Sequence, residues 1–371
     1  MNQQIGKGSL CFSEAPFIIG AASVVGTKEG EGPLAAEFDC IGEDDKFGQD
    51  TWEAAESSLQ QEALTLALGK ADCTPDQMRY LFAGDLLGQL IASSFGLKSF
   101  EIPLFGLYGA CSTCGEALAL SSMTVAAGYA DRVAAVTSSH FASAEKQFRF
   151  PLEYANQRPV CATWTVTGAG AFIVAAAGKV TQTKENTPQD KGPDLFPDGG
   201  LYQHKKGAPL AKIAGITTGK IVDYGVKDSM NMGAVMAPAA AELIAQNLTD
   251  FDRKPEDYDK IITGDLGEVG HEILIDLLKE KGFDISNVHD DCGMIIFDNE
   301  KQGTGSGGSG CGCAASTLAA HFLPKLATGE LKRILFVPTG ALLSTVSFNE
   351  GQSIPGIAHG IVLEHVQKEG R

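Results

Sequence analysis

The chain is short of several things. It has no apolar run of about 18 residues, the length a helix needs to cross a bilayer. It has little positive charge: 29 Lys and Arg stand against 46 Asp and Glu, giving a formal net charge of −17. That balance disfavours charge-driven contact with nucleic acid or anionic lipid. The segment Met1–Gly20 has neither the basic start nor the long apolar middle of a secretory signal. The expectation is a protein made and kept soluble, with no nucleic acid among its partners. The Gly/Ser-rich tract 303–312 lacks the GxxxxGK[ST] spacing of a phosphate loop.

What is present is an ordinary globular composition, 371 residues of which 44% are apolar. That is enough for one large core or two fused ones. The nine cysteines are an odd number without regular spacing, which points to free thiols in a reducing compartment.

The chain reads as if written twice. Gly84-Asp85-Leu86 is followed by Cys111-Ser112-Thr113-Cys114 and then by Arg132-Val133-Ala134. Gly264-Asp265-Leu266 is followed by Cys311-Gly312-Cys313 and then by Arg333-Ile334-Leu335. The interval from Cys111 to Arg132 is 21 residues and that from Cys311 to Arg333 is 22. Two copies of one α/β unit are expected, with a ligand site where they meet. The boundaries fall at 1–178 for the first half, 179–210 for a linker and 211–371 for the second half. Within that linker, the polar stretch 182–206 reads as a surface insertion.

Apolar runs predict strands at 17–25, 80–84, 102–107, 132–137 and 169–175, then at 211–217, 260–263, 294–297, 333–337 and 360–364. Helical periodicity falls at 52–70, 87–95 and 112–128, and again at 237–247, 272–281 and 312–326. Asp50 or Thr51 is placed to cap the first of these helices. Alternating strands and helices predict parallel sheets covered by helices.

Cys111 stands at a turn leading into a helix that starts at Ser112. A helix N-terminus favours a thiolate, and it can equally receive a carboxylate without covalent chemistry. A small buried residue in a tight turn is the third reading. Downstream, His140 is followed by Lys146, Gln147, Phe148, Arg149 and Phe150. Arg149 offers a planar fork for a carboxylate, and the two rings could wall a flat ligand. Asp85 and Asp265 either cap the helices that follow or line a crevice at the strand ends. Cys111-x-x-Cys114 and Cys311-x-Cys313 invite a metal or redox reading, but no partner His stands near them and the ligand set of a structural zinc site is absent.

These residues carry a resemblance. Gly109-Ala110-Cys111-Ser112-Thr113, the strand ending at His140 and the Gly310-Cys311-Gly312-Cys313 loop resemble the thiolase and ketoacyl-synthase superfamily. Gln147-Phe148-Arg149-Phe150-Pro151, Asp228-Ser229-Met230-Asn231-Met232-Gly233 and Ser353-Ile354-Pro355-Gly356 narrow it to the stage V sporulation protein AD family. The match runs from about Phe17 to Glu364.

The resemblance implies a thiolase-like five-layer α/β/α/β/α sandwich built from two duplicated halves. It implies binding of dipicolinic acid, or of its calcium chelate, for uptake into the developing spore and release in germination. It also implies partnership with membrane-embedded SpoVA proteins on the spore inner membrane, and a homodimer. Condensing enzymes of the superfamily pair the cysteine with His and Asn or with two His. Here those loops read Thr263-Gly264-Asp265-Leu266-Gly267 and Gly310-Cys311-Gly312-Cys313. The expectation is therefore a binding site without catalytic residues, cofactor or resident metal, in which Cys111 is a vestigial nucleophile. Its ligand contacts would come from Cys111, Ser112, His140, Lys146, Arg149, Asp85, Asp265 and Cys311, with Asp85 or Asp265 available to a calcium ion carried with the ligand. The alternative is an acyltransferase using Cys111.

Overall fold

The computed structural model describes residues 3–149, 151–155, 157–180 and 205–367. Phe150 and all of the polar stretch except Lys205 and Lys206 lie outside these residues.

The first half runs β1 (Phe17–Val25), α1 (Trp52–Ala71), β2 (Leu81–Gly84), α2 (Ile91–Leu97), β3 (Leu104–Gly106), α3 (Thr113–Ala126), β4 (Arg132–Ser139), α4 (Phe141–Phe148) and β5 (Gly168–Ala175). The second runs β6 (Ala211–Thr218), α5 (Met232–Asp250), β7 (Lys260–Thr263), α6 (Gly267–Glu280), β8 (His289–Asp291), α7 (Cys292–Ile296), α8 (Cys311–Thr317), β9 (Arg333–Val337) and β10 (Gly356–Glu364). Helix α1 is opened by Thr51, whose hydroxyl accepts the Ala54 amide, and closed by Asp72 in the left-handed region.

The strands lie in the order β8-β7-β9-β10-β6-β1-β5-β4-β2-β3. Each half has the same internal order. Taken outward from the centre, the first half reads β1-β5-β4-β2-β3 and the second reads β6-β10-β9-β7-β8. The directions also match: β2 is parallel to β3 and β4, and β7 is parallel to β8 and β9. The halves meet where Ala211 pairs with Ile18 and Lys212 with Phe17, antiparallel; Ser9–Cys11 also pairs with β6, and Trp164–Thr165 with Gly308–Ser309.

Side-chain alternation sorts the layers. Val133 and Ala135 of β4 face a central core, as do Ile334 and Phe336 of β9. Ala134 and Val136 turn outward onto α1, beside Leu59, Ala63 and Leu64. Leu335 and Val337 turn outward onto α5 and α6, beside Ile244, Leu274 and Leu278. Between the two sheets lie α3 and α8, with Cys114, Leu118, Cys313 and Ala314 in the central core. The five layers are therefore helix, sheet, helix, sheet and helix.

Three local expectations are corrected. The sheets are mixed, because β5 returns antiparallel beside β4 and β10 beside β9. Antiparallel neighbours need no helical crossover, so the chain re-enters at the end where it left. Residues 294–297 are not a strand: helix α7 occupies Cys292–Ile296 and the edge strand precedes it at His289–Asp291. A four-residue apolar run cannot separate the two states, and the Asp291 carboxylate accepting the Met294 amide caps a helix there. The predicted helix at 87–95 is broken by left-handed Gln89 and Leu90, so α2 starts at Ile91.

Candidate functional site

Cys111 sits in a single helical turn, Ala110–Ser112, before α3 proper begins at Thr113. Ala110 takes a φ of +53°, strained for a residue with a Cβ, which brings the turn sharply round. The turn caps itself: Ser112 Oγ donates to the Gly109 carbonyl at 2.7 Å and Thr113 Oγ1 to the Ala110 carbonyl at 2.6 Å. The Ser112 hydroxyl is thus already committed. Gly340 presses on this turn from the second half; a Cβ there would fall 2.6 Å from the Gly109 carbonyl. Only glycine fits.

Around the half-buried thiol of Cys111 gather Cys311, Leu86, Ala144 and Phe148. The Asp265 carboxylate stands beside the Cys111 thiol, close enough for each to act on the other's titration. Asp265 is fully buried and also accepts the Gly310 amide at 2.9 Å and the Thr339 hydroxyl at 2.8 Å. Cys311 donates its thiol to the Ser138 carbonyl at 2.9 Å. The loops 263–267 and 310–313 thus deliver Asp265 and Cys311 to the Cys111 cluster.

The electrostatics disfavour the thiolate, one of the three readings that the position of Cys111 leaves open. Burial pushes the Cys111 thiol well above its ordinary range, and the neighbouring Asp265 and Cys311 push it further. Asp265 is itself raised to about 7 by burial. Among the described residues no histidine hydrogen-bonds Cys111.

Helix α4 carries three of the predicted residues, and they part company. His140 caps its start: Nδ1 accepts the Ala142 amide at 3.1 Å and Nε2 donates to the Asp45 carbonyl at 2.6 Å. Burial lowers its pKa, so the ring is neutral with both nitrogens in use. Lys146 faces α1 instead, ion-paired with Glu53 at 2.6 Å and half exposed. Arg149, at the C-terminal end, lies near enough to Cys111 for a charge on the thiol to act on its guanidinium, and Phe148 beside it packs into the cluster.

Arg149 shares one carboxylate with Arg158. Glu145 Oε1 lies 2.6 Å from Arg149 Nη1 and 2.7 Å from Arg158 Nη1. Two guanidinium groups against one carboxylate leave one positive charge over. Arg149 Nε is buried without a hydrogen-bond partner. Arg158 and Glu145 were not anticipated, although the i,i+4 spacing of Glu145 and Arg149 was a readable signal.

Asp85 stays apart from the thiols' hydrogen bonds. Its carboxylate accepts the Leu87 amide at 2.9 Å, the Ser93 amide at 2.8 Å and the Ser93 hydroxyl at 2.6 Å. It closes its own turn and has no oxygen turned to a ligand. Around it runs an unanticipated buried chain, with Gln60 Nε2 donating to Ser93 and Ser138, and Ser138 and Ser143 donating to Glu56. Among the described residues no group of three His, Cys, Asp or Glu is placed to hold a metal ion. All nine cysteines are free thiols.

This architecture is shared with condensing enzymes. The human mitochondrial 3-ketoacyl-CoA thiolase solved with CoA superimposes with a TM-score of 0.54 over 96% of this chain and 99% of its own, at 13% identity. The 3-oxoacyl-[acyl-carrier-protein] synthase III of Aquifex aeolicus VF5 gives 0.51 over 94% and 99%, at 15% identity. Identities this low speak for the fold alone, which is thiolase-like. Sequence speaks for more. The stage V sporulation protein AD of Bacillus subtilis (strain 168) is 40% identical over 359 residues, 97% of each chain. The family model for stage V sporulation protein AD matches residues 6–364, and the chain belongs to that family of sporulation proteins.

Proposed function

We propose that this protein binds dipicolinate, a flat aromatic dianion, at the Cys111–Cys311 cluster and does not transform it. The observation that carries this reading is Arg149: a largely buried guanidinium beside Cys111, with an unpartnered Nε and an uncompensated charge. A buried donor without an acceptor is costly, and a carboxylate satisfies it. Phe148 offers a flat wall for the ring, and the positive end of α3 suits the second carboxylate. Lys146 and Asp85 are dropped from the predicted contacts, because Glu53 and the Ser93 turn occupy them.

The ligand would be loaded into the developing spore and released in germination, with the protein held at the spore inner membrane by membrane-embedded SpoVA partners. Among the described residues no helix is long and apolar enough to cross a membrane, so the proposed attachment runs through those partners. A second copy would pair along the outer edge strand β3, where Leu104 is 44% and Phe105 51% exposed.

Titration calorimetry with dipicolinate, with and without calcium, tests the ligand; benzoate and phthalate serve as controls. Saturable binding that weakens in Arg149→Ala is expected. Equal binding of the controls, or none of dipicolinate in either form, sinks it.

Acyl transfer has one observation in its favour: Asp265, raised by burial to about 7, stands beside the Cys111 thiol as a candidate to take its proton. Incubation with acyl-CoA decides this, because an acyl-enzyme adds mass at Cys111.

A further inference from the structure

The second half contains a buried polar chain at a place where its twin is apolar. Strand β7 pairs with β8 so that Thr263 stands opposite Asp291 and Ile261 opposite His289. The same register positions in the first half hold Ala83 opposite Gly106 and Leu81 opposite Leu104. The fold therefore does not require polar groups at this place. Burying them costs free energy unless every one is satisfied.

They are satisfied in one direction only. Thr263 Oγ1 donates to Asp291 Oδ2 at 2.6 Å, so the same hydroxyl accepts from His289 Nε2 at 2.9 Å. His289 is then protonated on Nε2, and its Nδ1 is an acceptor. His271 Nδ1, 2.7 Å away, must be the donor to it. Burial holds His289 neutral, with its pKa lowered to about 3, so the order of donors stands across the working pH range. The chain begins at half-buried His271 on α6 and ends at fully buried Asp291. The Lys260–Asp290 ion pair is the charged pair beside it.

Asp291 is where the chain meets the site. Its Oδ2 accepts the Leu266 amide at 2.8 Å and its Oδ1 the Gly267 amide at 3.0 Å. These are the two amides that follow Asp265. We infer that His271, His289, Thr263 and Asp291 form a positioning device, in which Asp291 pins the turn that aims Asp265 at Cys111 and the donor chain holds Asp291 in place. This rests on the reading of Asp265 and Cys111 as members of the ligand site.

The test is the pH profile of Cys111 alkylation by iodoacetamide, followed by mass spectrometry of the Cys111 peptide in the full-length protein. Asp265 stands beside the thiol and raises its pKa, so Asp265→Asn moves the midpoint to lower pH. Thr263→Val removes the hydroxyl at constant shape and is expected to move the midpoint part of the way in the same direction. Thr263→Ser keeps the hydroxyl and should track the wild type. Loosening of the fold would also lower the midpoint, by admitting water to the thiol, but that shift would add to the one in Asp265→Asn. Loss of positioning leaves the double variant Thr263→Val/Asp265→Asn at the midpoint of Asp265→Asn alone.

If Thr263→Val does not fold, His271→Leu against His271→Asn asks the same question from the surface end, since Asn retains a donor near the Nδ1 position. A wild-type midpoint in Thr263→Val, beside a shifted one in Asp265→Asn, overturns the positioning role and leaves the site reading standing. No shift in Asp265→Asn removes both. Shifted midpoints in a protein that fails to bind dipicolinate keep the device and discard the ligand.

Discussion

The two halves use one tripeptide for two purposes. Gly84-Asp85-Leu86 and Gly264-Asp265-Leu266 occupy the same place at the end of the same strand. Asp85 turns back on the first half and is consumed by Leu87 and Ser93. Asp265 reaches to Gly310, Thr339 and, across the interface, Cys111. Duplication supplied the turn twice, and the surroundings decided which copy faces Cys111. In the second half a separate residue, Asp291, holds the turn's amides and leaves Asp265 free to point elsewhere.

The strongest way to break this comparison is to remove each carboxylate. Asp85→Ala strands two buried backbone amides and is expected to cost about 2–4 kcal/mol in urea unfolding. It should leave the Cys111 alkylation midpoint untouched; a shift as large as that of Asp265→Asn would erase the distinction. Within the first half, Arg149 and Lys146 are contrasted in the same way. Arg149→Ala is expected to weaken dipicolinate binding by about 1.5–3 kcal/mol, roughly tenfold to a hundredfold, in calorimetry.

The pH dependence sharpens the comparison further. Burial raises Glu29 of the first half from 4.5 to about 8, and Asp265 of the second from 3.8 to about 7. Between those values the folded state holds a proton that the unfolded state has released. Stability therefore falls as pH rises through each window, by up to about 1.4 kcal/mol per pH unit for each group. From pH 6 to pH 7 the two groups together are expected to cost about 2 kcal/mol, measured by urea midpoints. Glu29→Gln should flatten the slope up to pH 8, whereas Asp265→Asn should flatten it only to about 7. The smallest effect belongs to Lys146→Ala. Its half-exposed pair with Glu53 is expected to contribute less than about 0.5 kcal/mol, and dipicolinate affinity should not change.

The doubled architecture was legible because it rests on long apolar runs. Phe17–Val25 and Arg333–Val337 are strands at the boundaries expected of them, since burial on both faces demands continuous apolar sequence. The convergence of Cys111, Asp265 and Cys311 was legible only through resemblance, because they lie far apart in the chain. Helix α4 was not legible: eight residues are too few to establish a period, and its cap is a histidine, which is not a usual capping residue. That omission kept Lys146 beside Arg149 as an equal candidate. The chain from His271 to Asp291 was invisible for another reason. It depends on the parallel register of β7 with β8, in a segment where the strand was expected five residues later.

The placement of α3 and α8 between the sheets bears on how the chain emerges from the ribosome. When β5 has been made, the inner face of the first sheet, with Phe82, Val133, Phe172 and Val174, has only α3 to shield it. Its remaining cover comes from residues near Cys313, Ile334 and Ile361, synthesised more than a hundred residues later. Closure depends on contacts far apart in sequence, which form slowly and leave an aggregation-prone surface waiting. Either half expressed alone would carry that surface permanently, whereas the two expressed together could cover each other.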